Sequence, residues 1–197
     1  AIGSEGLKVN TTGDYNTATG SDALKSNTTG NNNTAVGYDA LSSNTTGHSN
    51  IAVGDRSLNS NTTANYNVAI GQRAMQSNTT GGSNVAIGLA TLTDNTTGDY
   101  NVAVGTSALV NNTTGNNNVA IGKTALGYNS TGSRNIAIGY LAYKAADTEN
   151  DNLAIGYDAL SGSIAGGEYN VAIGNNSMAA LTSGDENVAV GYGSLGA

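Results

Sequence analysis

Cysteine, proline, tryptophan and phenylalanine are all absent from this chain of 197 residues, and charged residues make up only 11% of it. Without cysteine there is neither a disulfide framework nor a thiolate metal site, which leaves the redox compartment open. Positive charge is scarce as well. The seven Lys and Arg are scattered from Lys8 to Lys144 against a formal net charge of −7, whereas phosphate binding needs them clustered, so nucleic acid is not expected as a partner. The apolar runs are a few residues long, too short to cross a bilayer, and direct membrane insertion is not expected. The first residues, Ala1-Ile2-Gly3, open in the middle of a repeat unit without a charged or apolar export signal, which suggests a piece of a longer fibre protein.

What the chain does have is a glycine every seventeen residues: Gly3, Gly20, Gly37, Gly54, Gly71, Gly88, Gly105, Gly122, Gly139 and Gly156, then Gly174 and Gly191. From Gly20 onward each closes a five-residue pattern, as in Asn50-Ile51-Ala52-Val53-Gly54 or Asn118-Val119-Ala120-Ile121-Gly122. The step from Gly156 to Gly174 alone is eighteen. A fixed period of this length means that each unit stacks on the next in one register, so residues 1–197 are expected to form a single solenoid domain of about eleven coils.

Within a unit, two short apolar segments alternate with two turn signals. Period two sends Val119 and Ile121 to one face of the first segment, Asn118 and Ala120 to the other. The second segment is a small residue followed by a large one, Ala108-Leu109 being typical. Several Asn, Thr and Gly per unit leave no room for a helix pair, and the class expected is an all-β parallel solenoid. Each coil is expected to turn about three large aliphatics inward. That leaves an outward stripe of alanines, with Ala52, Ala69, Ala86, Ala103, Ala120 and Ala137 as the candidate interface where a second chain approaches. The other reading, in which the alanines fit inside a flattened coil, stays open. In the longer unit the extra residue is expected at the Gly166-Gly167 turn, with the strands on either side in register.

The second turn is Asn-Thr-Thr-Gly, as in Asn78 to Gly81 or Asn112 to Gly115. Its asparagines suit left-handed backbone angles and can pair with the asparagine of the next coil. A threonine column from Thr11 to Thr114 makes ice binding the alternative function, although it offers only one column of outward hydroxyls.

Little here is equipped for chemistry. The single histidine, His48, sits in a turn seat that Asp14, Asn31 and Asp99 fill elsewhere. Asp22, Asp39 and Asp158 follow the anchor glycine by two residues, but Arg56 and Arg73 occupy the same seat in other coils, so no cation site is expected. The reading is of a protein that is not an enzyme and needs no cofactor or metal. Tyrosine is the most informative side chain. Tyr38, Tyr140, Tyr157 and Tyr192 follow anchor glycines, Tyr15, Tyr66, Tyr100 and Tyr169 precede pattern asparagines, and Tyr143 replaces the large aliphatic. Tyr140, Tyr157, Lys144 and Tyr38 form the candidate receptor-binding surface, in or near a stretch, Tyr140 to Asp147, that loses the Asn-Thr-Thr-Gly turn.

The recurring pattern and the small residue after it, as in Asn67-Val68-Ala69-Ile70-Gly71-Gln72-Arg73-Ala74, resemble the head repeats of YadA-like trimeric autotransporter adhesins. They also resemble the Asn-Thr-Thr-Gly repeats of phage and bacterial tail-fibre-like proteins. The resemblance spans essentially the whole chain and implies a left-handed parallel β-roll, three chains about one axis, displayed on a bacterial surface or a virion. It further implies an extracellular adhesin head, or a receptor-binding or spacer segment of a tail fibre, whose partner is a protein or glycan on a host cell. The adhesin head repeat is usually shorter than seventeen residues, so collagen or matrix binding is not carried over.

Overall fold

A computed structural model describes residues 1–162 and 166–196. Eleven strands of three residues, from β1 (Thr17–Thr19) to β11 (Val188–Val190), pair in chain order in one sheet, and no helix occurs among the described residues. Every pairing is parallel, with equivalent residues opposite one another, Ala52 beside Ala69 and Ala69 beside Ala86. The protein is a parallel β-solenoid. Ten steps at the usual strand spacing make the strand stack about 48 Å long.

Bonding between coils continues around the corners. In the coil carrying Val68 to Ile70, the amides of Val68, Met75 and Thr79 donate to Asn84, Thr91 and Thr96 of the next coil at 2.9, 3.0 and 3.0 Å. The amides of Gly71 and Arg73 reach back to Val53 and Asp55 at 2.8 and 2.9 Å. The corners are made by residues in the left-handed region: Tyr66, Arg73 and Met75 have φ of 61°, 58° and 52°. Left-handed non-glycine residues are uncommon singly, yet this trio of seats recurs along the rod because the bonds it positions recur too. Asp22, Asp39 and Asp158 occupy one of those seats, at φ 59°, 54° and 53°, which accounts for their spacing as the period of a corner. The anchor glycine has a different reason. Gly54 has φ +134°, and a Cβ there would lie 2.5 Å from the carbonyl oxygen of Gly71.

The interior corrects the expected facing of the strands. Ala52, Ala69, Ala86, Ala103, Ala120 and Ala137 are all fully buried inside the coil, so they cannot be the surface on which another chain rests. The flattened coil is what forms. Val and Ile on either side of each alanine point outward, as the half-exposed Ile51, Ile70, Ile87 and Ile121 show. Instead of three large aliphatics, a coil encloses one: Leu92, Leu109 and Leu126 in successive coils, then Tyr143. The physical reason is the asparagine that precedes each strand. It lies on the same face as the alanine, and its amide is worth more bonded inside the rod than hydrated outside it. A seventeen-residue loop holding asparagines in its interior has room beside them only for alanine and one larger side chain.

The eighteen-residue step leaves the register intact, with β9 (Leu153–Ile155) beside β10 (Val171–Ile173) and Ala154 opposite Ala172. The carbonyl of Gly167 accepts from Asn152 Nδ2 at 2.9 Å, the seat that the Glu149 carbonyl fills for Asn135 one coil earlier. Gly167 is therefore the ordinary turn residue, and the extra one lies between Leu160 and Gly167. That stretch includes 163–165, which lie outside the described residues, so the placement expected at Gly166-Gly167 is only partly covered. Gly166 itself is exposed, at φ +78°.

With Ala120 enclosed on all sides, Ala120→Leu is expected to destabilise the fold by about 1–3 kcal/mol through overpacking. Val119→Thr, which reproduces the outward Thr34 of β2 (Thr34–Val36), should change the denaturation midpoint far less. Chemical unfolding followed by circular dichroism measures both.

Candidate receptor-binding surface

Two asparagine files run through the rod. In the first, the amide of Asn95 donates to Asn78 Oδ1 at 2.8 Å and to its own turn carbonyl, Gly98, at 3.0 Å. Asn112 then donates to Asn95 Oδ1 at 2.8 Å. In the second, Asn101 Nδ2 donates to the Gly115 carbonyl at 2.8 Å, and Asn101 Oδ1 accepts the backbone amide of Asn118 at 3.0 Å. These asparagines are buried, so the ladders are structural and offer no face to a ligand. The first threonine of each turn is also committed, as when Thr96 Oγ1 donates to the Thr113 carbonyl at 3.0 Å. The second, such as Thr80 or Thr97, is exposed and forms the single hydroxyl column on which the ice-binding alternative rests.

Of the candidate receptor residues, the structure brings three together. Tyr140 and Tyr157 stand on successive coils with ring centroids 5.6 Å apart and planes tilted by 36°. The two residues are 43% and 49% exposed, and Lys123 Nζ extends the row at 5.9 Å from the Tyr140 centroid. Lys144 reaches the same region, with Nζ 3.4 Å from Asp158 beside Tyr157. Tyr38 occupies the same column six coils away, on the order of 29 Å along the rod. It belongs to a separate spot, where the Arg56 guanidinium lies 5.7 Å from its ring centroid.

The coil beneath this platform is the irregular one. Tyr143 is buried in the leucine seat, and its hydroxyl accepts from Asn152 Nδ2 at 2.9 Å. Burial pushes its phenol well above the ordinary tyrosine range, so it stays neutral. Ala146 stands where the ladder asparagine should be, and as a result Asn129 Oδ1 is buried without a hydrogen bond. Glu149, buried at the turn position that glycine usually holds, closes the gap with its own carboxylate. Its Oε2 accepts the amides of Asp147 and Thr148 at 3.0 and 3.1 Å, and Oε1 accepts that of Gly166 at 3.1 Å. The irregularity is thus a repair of the interior that holds Tyr140 and Tyr157 on an ordinary coil stack.

A second tyrosine feature went unread in the sequence. Tyr66 and Tyr100, in the column before the pattern asparagine, flank a cleft of about 220 Å³ whose floor includes Gly82 and Ser83. Folding the sequence at its period shows the cause, because Tyr66, Ser83 and Tyr100 fall in one column. His48 packs edge-on to Tyr66, centroid to centroid 5.0 Å, so the histidine buttresses an aromatic ring. No group of three or more His, Cys, Asp or Glu able to hold a metal ion occurs among the described residues.

The chain therefore belongs, by its architecture, to the repeat β-solenoids. Compared with known proteins, it matches no family model, no curated protein and no solved structure.

Because Asn95 makes three side-chain bonds within its ladder, Asn95→Ala should cost about 1–3 kcal/mol. Asn129→Ala, whose Oδ1 has no partner to lose, should cost less. The difference between the two denaturation midpoints reads the ladder directly.

Proposed function

We propose that this chain is a non-enzymatic extracellular fibre segment, of the kind found in adhesin heads and tail fibres, which self-associates in threes and presents tyrosine platforms to a host-cell receptor. The observation that carries the reading is the outward face of the sheet. Ile51, Val68, Val85, Val102, Val119 and Ile136 form one file, Val53, Ile70, Ile87, Val104, Ile121 and Ile138 the other, and neither contains a charged residue over its whole length. A continuous apolar stripe on a chain of net charge −7 marks an interface, not a face left in water. A straight, self-similar stripe is matched along its full length by another copy of the same chain lying parallel to it, because both have the same coil spacing. The number three, the exposed setting on a bacterial surface or a virion, and the adhesive role follow from the resemblance to trimeric head repeats.

Tyr140, Tyr157 and Lys144 then lie on the flank, in position to meet a protein or glycan receptor. No cofactor, nucleic acid or membrane insertion enters this reading. The ice-binding alternative has a single file of exposed hydroxyls to offer, which repeats in one direction only, whereas a crystal plane repeats in two. That file is a weaker basis than the apolar stripe.

Light scattering after size exclusion should give the mass of three chains, with Ile87→Asp combined with Ile121→Asp reducing it to one while the β-sheet circular dichroism persists. A stable single chain at micromolar concentration would sink the association. Fluorescently labelled protein should bind some members of a panel of bacterial and animal cells. Replacing Tyr140, Tyr157 and Lys144 by serine should lower that binding without altering the mass.

A further inference from the structure

We infer that the cleft between Tyr66 and Tyr100 is a subsite for one neutral hexopyranose ring of a surface glycan. The cleft exists because of a local pattern of sizes. Asn65-Tyr66 and Asp99-Tyr100 occupy equivalent seats two coils apart, and the coil between them puts Gly82 and Ser83 there, two of the smallest residues. At the strand spacing the two tyrosine seats are about 9.6 Å apart along the rod. That separation is about the thickness of one saturated ring with a van der Waals contact on either side. The arrangement is not repeated elsewhere in the column: Tyr15 is three coils from Tyr66, and Tyr169 is followed one coil later by Glu186.

The chemistry of the cleft selects the ligand class. Its lining combines two aromatic residues, Tyr66 and Tyr100, 60% and 63% exposed, with polar groups from Thr63, Thr80, Ser83 and Asp99. Asp99 Oδ1 accepts the amide of Gly82 at 2.6 Å, which fixes the carboxylate at the edge of the cleft. A pyranose has both halves of this complement: C–H faces that lie against aromatic rings and a rim of hydroxyl donors and acceptors. Phosphate or another anion is disfavoured by Asp99 and by the absence of any Lys or Arg from the lining. A lipid chain or aliphatic side chain would leave the polar floor unpaired. His48, from the coil on the far side of Tyr66, braces that wall at an interplanar angle of 87°, so the ring is held before any ligand arrives.

This deepens the proposed surface-binding role and rests on it for its biological setting, although the cleft is testable alone. The probes are the methyl hexopyranosides of the gluco, galacto, manno and N-acetylglucosamine series, both anomers, titrated into the intact protein and followed by saturation-transfer NMR. At least one series should bind saturably. Ser83→Tyr should abolish that binding by filling the cleft, and it should do so in a folded protein, because the same left-handed seat already holds tyrosine at positions 66, 100 and 169. Tyr100→Ser should weaken it about tenfold, the order expected for one lost aromatic contact, and Tyr140→Ser should leave it unchanged. The inference is overturned if no series binds, or if Ser83→Tyr binds as the parent does. Cell binding by a protein that binds no methyl hexopyranoside would defeat this site and leave the fibre reading standing, whereas sugar binding lost in Ser83→Tyr without any cell binding would do the reverse.

Discussion

Everything in this rod depends on like meeting like one coil later. Backbone amides bond to carbonyls of the adjacent coils, and each interior asparagine bonds to its own counterpart or to the turn it shares with it. The arrangement satisfies the polar groups of an interior in which asparagines share the space with alanines and one large side chain per coil. In an ordinary domain a buried amide is a liability that some other residue must offset. Here the offset is supplied by the repeat itself, since any position that pairs once pairs along the whole stack. The same dependence makes the ladder intolerant of gaps. Where Ala146 interrupts it, Glu149 and Tyr143 must be redeployed to fill space and accept amides, and one oxygen of Asn129 is still left over.

Self-bonding also explains why so many corner residues can sit at positive φ. An isolated leucine or arginine in the left-handed region is strained. When Arg56, Leu58, Arg73 and Met75 all adopt it in register, each strained corner aligns amides with the neighbouring coil, and the strain is repaid by bonds that a relaxed corner would break. Side-chain identity at the outward corners is then nearly free, which is how Asp39, Arg56, Ser107 and Leu141 come to occupy one seat in different coils.

The period, the parallel sheet, the coil length and the preservation of register across the longer unit were all legible from the anchor glycines and the pattern they close. Tyr143 was legible too, as a replacement for the core aliphatic. The facing of the strands was not. Val119 and Ile121 are more hydrophobic than Asn118 and Ala120, and transfer energies alone put the former inside. What reverses that order is cooperative pairing of asparagines between coils, a property of the stack that no single coil displays. The Tyr140 and Tyr157 pair could be read because the two follow adjacent glycines. The Tyr66 and Tyr100 cleft could not be read from either residue, since it is made by the small side chains of the coil between them.

One consequence of the in-register stack concerns the geometry of recognition. Side chains that leave the rod do so from fixed columns, so the separation of any two contacts within one column is a whole number of coil rises. Such a surface would measure any partner with a ruler of a single graduation. It suits targets that are themselves periodic, and a mismatch of half a step cannot be relieved by bending a loop, because the corners are as tightly bonded as the strands.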